Sequence, residues 1–353
     1  MILEEFLKEI TPPSSAIREV AENRWQQIAK PLKGLGHLEE ILVRIASLTE
    51  NPKFHISKRC VVPFCSDNGI VAEGVTQTDQ SITAIVTRNF IHGKTSACIM
   101  AKSASCDVIP VDIGVAADLT GEKLIHHKIS YGTKNFTKEP AMSRNQAFIA
   151  ILFGIRLVKQ LKNQGYRLIA TGEMGIGNTT TSSAVASVLL QQDPAIMTGP
   201  GAGLSPEGVA RKIQAIQRGI DLHQPDPTDP IDILQKVGGY DIAGMCGIFL
   251  GGAIYKVPIL LDGLISGVAA LCATRLAPNA KKCMIASHLS SEKSAKLILE
   301  ELGLTPLIHG DFCLGEGTGA IAAIPLLDMA YAVYQGMPTF EEIAMKAYEP
   351  LKK

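Results

Sequence analysis

The sequence lacks the usual signatures of metal centres and of several enzyme classes. Its eight cysteines form no Cys-x-x-Cys pair, and its eight histidines form no His-x-x-x-His pair, so no metal site is expected. The Gly-x-Ser-x-Gly turn of serine hydrolases is also missing. The sequence therefore favours a chemistry that needs neither a zinc ion nor a nucleophilic serine.

An excess of charge of one sign is absent too. Lysine plus arginine and aspartate plus glutamate number 34 each, which argues against a nucleic-acid or acidic-membrane partner. The most apolar stretch, residues 242–255, is too short to span a bilayer and is predicted to be a close-packed core helix. The N-terminus is acidic and amphipathic, unlike a signal peptide. All eight cysteines are predicted to be buried, reduced thiols of a cytoplasmic protein.

The pattern of apolar residues predicts an α/β fold. The chain has 353 residues, of which 46% are hydrophobic, enough for a large core. Residues 2–50 show only helical patterns. From residue 59 onwards, strands alternate with helices, which indicates a mainly parallel sheet. Strands are expected at residues 60–65, 107–114, 257–263 and 282–288, with a short one at 306–311; helices are expected at 81–103, 142–163 and after Pro338.

Residues 166–185 have the order of a strand, a glycine loop and a helix start. Gly172, Gly175 and Gly177 allow backbone N–H groups to approach a ligand, while Asn178 and the threonines after it can cap the helix. Such a loop is suited to phosphate. It does not end in Gly-Lys-Ser/Thr and lacks Gly-x-Gly-x-x-Gly spacing, so neither a Walker A loop nor a dinucleotide motif is predicted. A glycine turn without a ligand is the alternative.

Acidic residues recur where an apolar run meets a glycine turn. They are Asp67, Asp112, Glu173, Asp262 and Glu316. Because the carboxyl ends of parallel strands lie at one edge of a sheet, these side chains are expected to converge on an acidic cleft, although any one of them could be a helix cap. Glu316, between two glycines at a helix start, is a candidate general base or a carboxylate that stabilises the helix dipole.

Five motifs make a family resemblance specific. They are Ser-Asp-Asn-Gly-Ile-Val-Ala-Glu-Gly-Val at 66–75, Gly-Glu-Met-Gly-Ile-Gly-Asn-Thr-Thr at 172–180, Leu-Leu-Asp-Gly at 260–263, Ser-His-Leu-Ser-Ser-Glu-Lys at 287–293, and Leu-Gly-Glu-Gly-Thr-Gly-Ala at 314–320. With them the chain resembles, over nearly its whole length, the nicotinate-nucleotide–dimethylbenzimidazole phosphoribosyltransferase family. The resemblance implies a Rossmann-like catalytic domain at 59–335. It also implies a small helical domain built from residues 1–58 and 336–353, and a homodimer whose active site is completed across the interface.

The family's reaction transfers the 5-phosphoribosyl group of nicotinate mononucleotide to 5,6-dimethylbenzimidazole, with inversion at the anomeric carbon, for the lower ligand of cobalamin. No cofactor is implied. By resemblance, Glu316 is the catalytic base and Glu173 a second functional carboxylate. The implied binding residues surround these two: Gly175, Ile176, Gly177, Asn178 and Lys212 at the phosphate, with Ser290 from the other subunit; Thr78, Gln80 and Leu314 at the acceptor base; and Asp241 and Asp262 at the cleft.

One segment departs from the family pattern. Residues 75–80, Val-Thr-Gln-Thr-Asp-Gln, are polar and contain no proline, which leaves open whether the acceptor is dimethylbenzimidazole, another benzimidazole, adenine or a phenol. A non-catalytic nucleotide sensor on the same scaffold is an alternative function, and a dinucleotide oxidoreductase is a weaker one. The presence of both Glu173 and Glu316 favours the enzyme, because a sensor needs no base.

Overall fold

A seven-stranded parallel sheet forms the centre of the computed structural model, which describes residues 3–348. Its strands run in the spatial order β4-β3-β1-β5-β6-β7, with β2 beside β1. The bounds are β1 Arg59–Ser66, β2 Asp107–Val108, β3 Val111–Gly114, β4 Ile125–His126, β5 Leu168–Met174, β6 Ile259–Leu261 and β7 Met284–Ala286. A separate parallel pair is formed by β8 His288–Leu289 and β9 Ile308–His309. The predicted α/β class is confirmed.

The strand order reverses between β1 and β5. The chain first builds β3 and β4 on one side of β1, and then β5, β6 and β7 on the other. The two central strands are paired from Arg59 and Leu168 to Cys65 and Met174. In open parallel sheets, the crevice at the carboxyl ends of the strands beside such a reversal is the usual ligand site. Glu173 lies at this end of β5.

Helices cover both faces of the sheet. One face carries α6, α7, α10, α11 and α12, and the other carries α2, α3, α4, α5 and α14. The bounds are α1 Leu3–Lys8, α2 Ser15–Gln27, α3 His37–Thr49, α4 Ser81–Ile91, α5 Ser96–Ser103, α6 Arg144–Asn163, α7 Asn178–Leu190, α8 Pro194–Met197, α9 Pro206–His223, α10 Pro230–Val237, α11 Tyr240–Tyr255, α12 Leu264–Leu276, α13 Ala295–Leu302 and α14 Thr318–Gly336.

The apolar glycine-rich segment is the close-packed core helix that was predicted. From Tyr240 to Ile254 every residue of α11 is buried. A Cβ atom at Gly154 would lie 2.2 Å from the carbonyl oxygen of Gly244, and one at Gly247 would lie 2.1 Å from that of Ile151. The glycines therefore let α6 and α11 approach backbone to backbone. Between residues 3 and 348, no helix is both long and apolar enough to cross a membrane.

The single helix predicted over residues 81–103 is wrong. The chain leaves α4 at His92, and Gly93 adopts a positive φ of 70°. A new helix then starts, because the Thr95 side chain accepts the N–H of Cys98 as an N-cap. The break gives the protein an additional helix N-terminus, which faces the site described below. The strand predicted at 282–288 is also shorter, since Pro278–Cys283 forms a 3-10 turn before β7.

The two ends of the described chain pack together. Arg24 donates to the carbonyl oxygens of Tyr334 and Met337, at 3.2 and 2.9 Å, and Ile28 forms an antiparallel bridge with Thr339. The helical tail predicted after Pro338 is wrong for residues 339–348, which form the bridge, turns and irregular backbone; residues 349–353 lie outside the described part. The domain boundaries at residues 58 and 335 stay a prediction, which this packing supports.

Candidate active site

A cavity of about 290 Å³ lies at the carboxyl ends of β5 and β6. Its walls come from the start of α7, the loop before α9, the start of α12, and the two segments around residues 290 and 314. The polar and glycine positions on the wall are Glu173, Gly175, Asn178, Thr179, Gly201, Asp262, Gly263, Ser266, His288, Ser290, Glu292, Cys313, Gly315 and Glu316, and the apolar Ile176 and Leu314 lie among them. The cavity thus unites eight of the thirteen predicted site residues.

Glu173 is held where the two glycine–carboxylate turns meet. Its carboxylate accepts hydrogen bonds from the side-chain amide of Asn178 and from the backbone N–H of Glu316. Burial raises the pKa of Glu173 to about 8, while the two donors act in the opposite direction. With no cation beside it, the group is therefore mainly in its acid form at neutral pH. A bound cation would shift it towards the carboxylate.

The second turn has an unusual backbone. Gly315, Glu316 and Gly317 have φ values of 85°, 62° and 88°, so a non-glycine residue lies in the left-handed region between two glycines. This conformation points the Glu316 N–H at Glu173, while the Gly317 N–H donates to Asp262 Oδ2 at 3.2 Å. Two buried carboxylates therefore fix the turn.

The Glu316 side chain points to the additional helix N-terminus. Its Oε2 accepts the backbone N–H of Ala97 at 3.1 Å, and Thr95 also donates to the carboxylate. These donors and the dipole of α5 favour the ionised form, whereas burial raises the pKa of Glu316 above its ordinary value. A partly buried, oriented carboxylate of this kind can accept a proton from a ligand.

Asp262 supports the turn rather than standing free in the cavity. Besides Gly317, it accepts the N–H of Ala320 at 3.0 Å through Oδ1, and it is 3% exposed. It is therefore an N-terminal cap of α14 supplied from the end of β6. His288 lies close enough for the two charges to interact.

The start of α7 differs in detail from the predicted phosphate loop. Gly177 is the N-cap residue, with no side-chain cap, and it packs against Val71 away from the cavity. Asn178 does not cap the helix. Its amide donates to Glu173 and to Asp241 Oδ2, the latter at 3.1 Å. The N–H of Ile176 is already used by Thr83 Oγ1 at 3.1 Å, and that of Asn178 by the Gly175 carbonyl at 3.0 Å.

Lys212 brings a positive charge to this helix start. It is 1% exposed, and its ammonium donates to Thr179 Oγ1 at 2.8 Å and to the Gly199 carbonyl at 3.3 Å. Burial lowers the pKa of Lys212 to about 8. The group can therefore supply a poorly solvated ammonium beside Thr179 and Gly201, which both line the cavity.

Four further predicted contributors do not reach the wall. Asp241 is fully buried behind Asn178, where burial raises its pKa to about 6. Thr78 is exposed, and Gln80 hydrogen-bonds Asp67 instead. Lys212 contributes only through Thr179, to which its ammonium donates and which lines the cavity.

The prediction that all five strand-end acids converge is wrong for two of them. Asp67 accepts the N–H of Ala116 at 2.7 Å, and Asp112 pairs with Lys128 at 2.8 Å.

Three further observations concern the segments around residues 290 and 314. Ser290 lines the cavity of its own chain, and its contribution from another subunit stays a prediction. Cys313 is exposed, unlike the other seven cysteines, and the prediction that all eight are buried is wrong there. Glu292 and His288 were not predicted as site residues. Only their place in the motif at 287–293, beside Ser290, could have indicated them.

Comparison with known proteins assigns the chain to a family. A family model described as "Phosphoribosyltransferase" matches residues 10–345. The nicotinate-nucleotide–dimethylbenzimidazole phosphoribosyltransferase of Acetivibrio thermocellus is 43% identical over 349 residues, 99% of each chain. The protein of the same name from Clostridium acetobutylicum is 44% identical over 352 residues, 100% of each chain.

A solved structure agrees with these relatives. The crystal structure of CobT from Thermus thermophilus matches with a TM-score of 0.89 and 36% identity, covering 94% of this chain and 99% of that one. The similarity therefore extends through the whole architecture and includes the segments that form the cavity. The chain belongs to the nicotinate-nucleotide–dimethylbenzimidazole phosphoribosyltransferase family and is a phosphoribosyltransferase.

Proposed function

We propose that the protein transfers the 5-phosphoribosyl group of nicotinate mononucleotide to 5,6-dimethylbenzimidazole or a related base. The products are nicotinate and α-ribazole 5′-phosphate, used for the lower ligand of cobalamin. The names of the relatives state both substrates. The observation that carries the proposal is the union, in one cavity, of a helix start beside a buried lysine with two carboxylates on glycine turns.

The 5′-phosphate belongs at the start of α7. The ammonium of Lys212 supplies a positive charge beside Thr179. Thr179 and Ser290 both line the cavity and offer their hydroxyl groups to the phosphate. The positive end of the helix dipole adds to this attraction. Because the N–H groups of Ile176 and Asn178 have internal partners, Lys212 and the hydroxyl groups carry more of the phosphate binding than the sequence implied.

Glu173 stabilises the ribose as nicotinate leaves. The bond between C1′ and the pyridinium nitrogen breaks, and its electron pair neutralises that nitrogen. The positive charge of the pyridinium moves onto the ribose in the transition state. A preorganised buried carboxylate lowers the energy of such a charge far more than water does. Substrate binding also brings a cation to Glu173, which opposes the effect of burial on its pKa and favours the ionised form.

Glu316 takes the proton from the acceptor base. One ring nitrogen of the benzimidazole attacks C1′ from the face opposite the nicotinate, which inverts the anomeric carbon. Its other nitrogen releases its proton to the Glu316 carboxylate, so the product ring leaves neutral. Val86, Met174 and Leu314 line the cavity together with this carboxylate and offer apolar contact to a flat ring.

One experiment tests the reaction and the acceptor together. The protein is incubated with nicotinate mononucleotide and an equimolar mixture of dimethylbenzimidazole, benzimidazole, adenine and a phenol, and the products are identified by mass. We expect one molecule of free nicotinate for each molecule of benzimidazole ribotide that forms. Binding of the nucleotide without any release of nicotinate would contradict transfer and favour a sensor.

A homodimer with a shared active site and a cytoplasmic location are part of the proposal. Leu314 lies on the cavity wall and is still 55% exposed, so a second subunit could cover it. Sedimentation of the protein at several concentrations, with and without nucleotide, measures the assembly.

A further inference from the structure

Glu292 is a carboxylate within the phosphate part of the cavity that the proposed mechanism does not use. It lines the wall with Ser290 and Gly201. Its carboxylate accepts the N–H of Gly201, yet Oε2 is buried and has no hydrogen-bond partner within residues 3–348. A buried carboxylate oxygen without a donor is costly and unusual, so this atom needs an explanation.

The surroundings of Oε2 leave it with little water. A Cβ atom at Gly199 would lie only 2.3 Å from Oε2, so the loop backbone covers the carboxylate closely. The carbonyl of the same glycine receives the ammonium of Lys212. Lys212 is thus bound to Thr179 and Gly199 while its charge acts on Glu292 from nearby.

A phosphate in this position would place two negative groups side by side. If Glu292 stayed ionised, it would repel the dianion in a poorly screened site. If it were protonated, the repulsion would vanish, and a neutral acid loses less than a carboxylate does when an oxygen is buried without a donor. The second arrangement is the more favourable one.

We propose that Glu292 takes up a proton when the 5′-phosphate binds, so that no second anion lies beside the phosphate. Glu292 would thereby help to select the nucleotide over the nucleoside, which brings no anion to protonate it. The inference rests on the proposed function, because it takes the phosphate of nicotinate mononucleotide as the ligand at this end of the cavity.

The neighbouring charges are consistent with this role. Burial raises the pKa of Glu292 above its ordinary value, and Lys212 on α9 opposes the rise. The titratable groups elsewhere on the same wall are Glu173, Asp262, His288, Cys313 and Glu316. The adjacent Lys293 donates to the Ala195 carbonyl at 2.8 Å on α8, and the loop before α9 brings no charge to the carboxylate.

The test is calorimetric titration with nicotinate mononucleotide at pH 7 in two buffers of different ionisation enthalpy. The heat difference gives the number of protons taken up. At this pH the second pKa of the phosphate, about 6, is largely passed, and Lys212 is still mostly protonated. In Glu292→Gln the amide keeps the acceptor for Gly201 but cannot titrate. Loss of the Glu292 charge lowers the pKa of Lys212, so extra uptake by Lys212 in the variant would make the difference between the two proteins smaller than one proton.

We expect the wild type to take up more protons than Glu292→Gln, by at most one. The Kd of the wild type for nicotinate mononucleotide should rise by up to tenfold per pH unit, which is the limit for one linked proton. The rise should be weaker in Glu292→Gln. Nicotinate riboside, measured with the wild type alone, should show no comparable uptake. Equal uptake by wild type and variant, or equal uptake with nucleotide and riboside, would overturn the proposal. If the wild type binds no nicotinate mononucleotide, the proposed function itself fails.

Discussion

The backbone N–H of Glu316 donates to the carboxylate of Glu173. The residue proposed to take the proton is therefore held in place by the residue proposed to stabilise the ribose. The contact is tight, since a Cβ atom at Gly315 would lie 2.5 Å from Glu173 Oε1. A displacement of either turn must move the other, so substitutions in one turn should affect the steps assigned to both.

The first prediction concerns the base. Glu316→Gln keeps the shape of the side chain and its acceptor for Ala97, but it cannot take a proton. We expect kcat to fall by about 10²–10⁴-fold with little change in the affinity for nicotinate mononucleotide, measured by nicotinate release and by calorimetry. Glu122→Gln, at an exposed loop position, is the matched control. Near-normal turnover in Glu316→Gln would remove the base assignment.

The second prediction concerns the phosphate. Lys212→Met keeps the length of the buried side chain and removes its charge. Since a hydrogen bond to a charged group contributes about 1.5–3 kcal/mol, the KM for nicotinate mononucleotide should rise about 10- to 100-fold, with a much smaller change in kcat. Nicotinate riboside, which lacks the phosphate, should be used equally well or poorly by both proteins. An unchanged KM for the nucleotide would move the phosphate site elsewhere.

The third prediction concerns the packing of one turn on the other. A Cβ atom at Gly172 would lie 2.7 Å from the Glu316 carbonyl oxygen, so Gly172→Ala must push the Glu316 turn away. We expect most of the activity to be lost and the free energy of unfolding to fall by about 1–3 kcal/mol, measured by urea denaturation. The control is Gly336→Ala at the end of α14, where a Cβ atom meets nothing within 4 Å. This variant should retain activity and stability, and an equal loss in both variants would contradict the prediction.

The fourth prediction is a pH dependence of stability. The pKa of Glu173 is about 8 in the folded protein and about 4.3 in an unfolded chain. Between these values the folded state holds a proton that the unfolded state has lost. The contribution of Glu173 to stability is therefore full below about pH 4.3 and is lost as the pH rises towards 8. The slope for one proton is about 1.4 kcal/mol per pH unit.

The measurement is the free energy of urea unfolding of the ligand-free protein at several pH values from 5 to 8. The wild type should lose more stability over this range than Glu173→Gln, and the difference between the two isolates this side chain from the other buried acids. Parallel curves would show that Glu173 is already ionised in the ligand-free protein.

The fold could be predicted from the sequence because its signals are local. Apolar runs followed by glycines indicated the strands, and the parallel arrangement followed from their alternation with helices. The break in the helix at residues 92–95 was missed, since Gly93 alone does not end a helix and Thr95 was not recognised as a second N-cap. A helix was wrongly predicted after Pro338 because the polar pattern of this tail resembles a helix. Its first residues instead bond to the segment that follows α2.

The site was predicted less completely. Glu173 and Glu316 could be found because each lies beside glycines in a recognisable turn. Gly177 and Asn178 were assigned to the ligand, yet one packs away from the cavity and the other orients two carboxylates through its amide. Such roles depend on which residue lies across the cavity, and sequence spacing does not contain that information. Glu292 was missed for the same reason.

The turn at Glu316 is bonded to residues far earlier in the chain, which has a consequence for biosynthesis. The carboxylate of Glu316 bonds to a residue 219 positions earlier, and the next N–H of its turn bonds to one 55 positions earlier. Contacts of this separation form late, because long loops must close first. A chain emerging from the ribosome thus contains the loop proposed to bind the phosphate long before the residue proposed as the base. If Glu316 is the base, as proposed, the protein becomes a catalyst only when nearly all of it has been made, and incomplete chains do not consume the nucleotide.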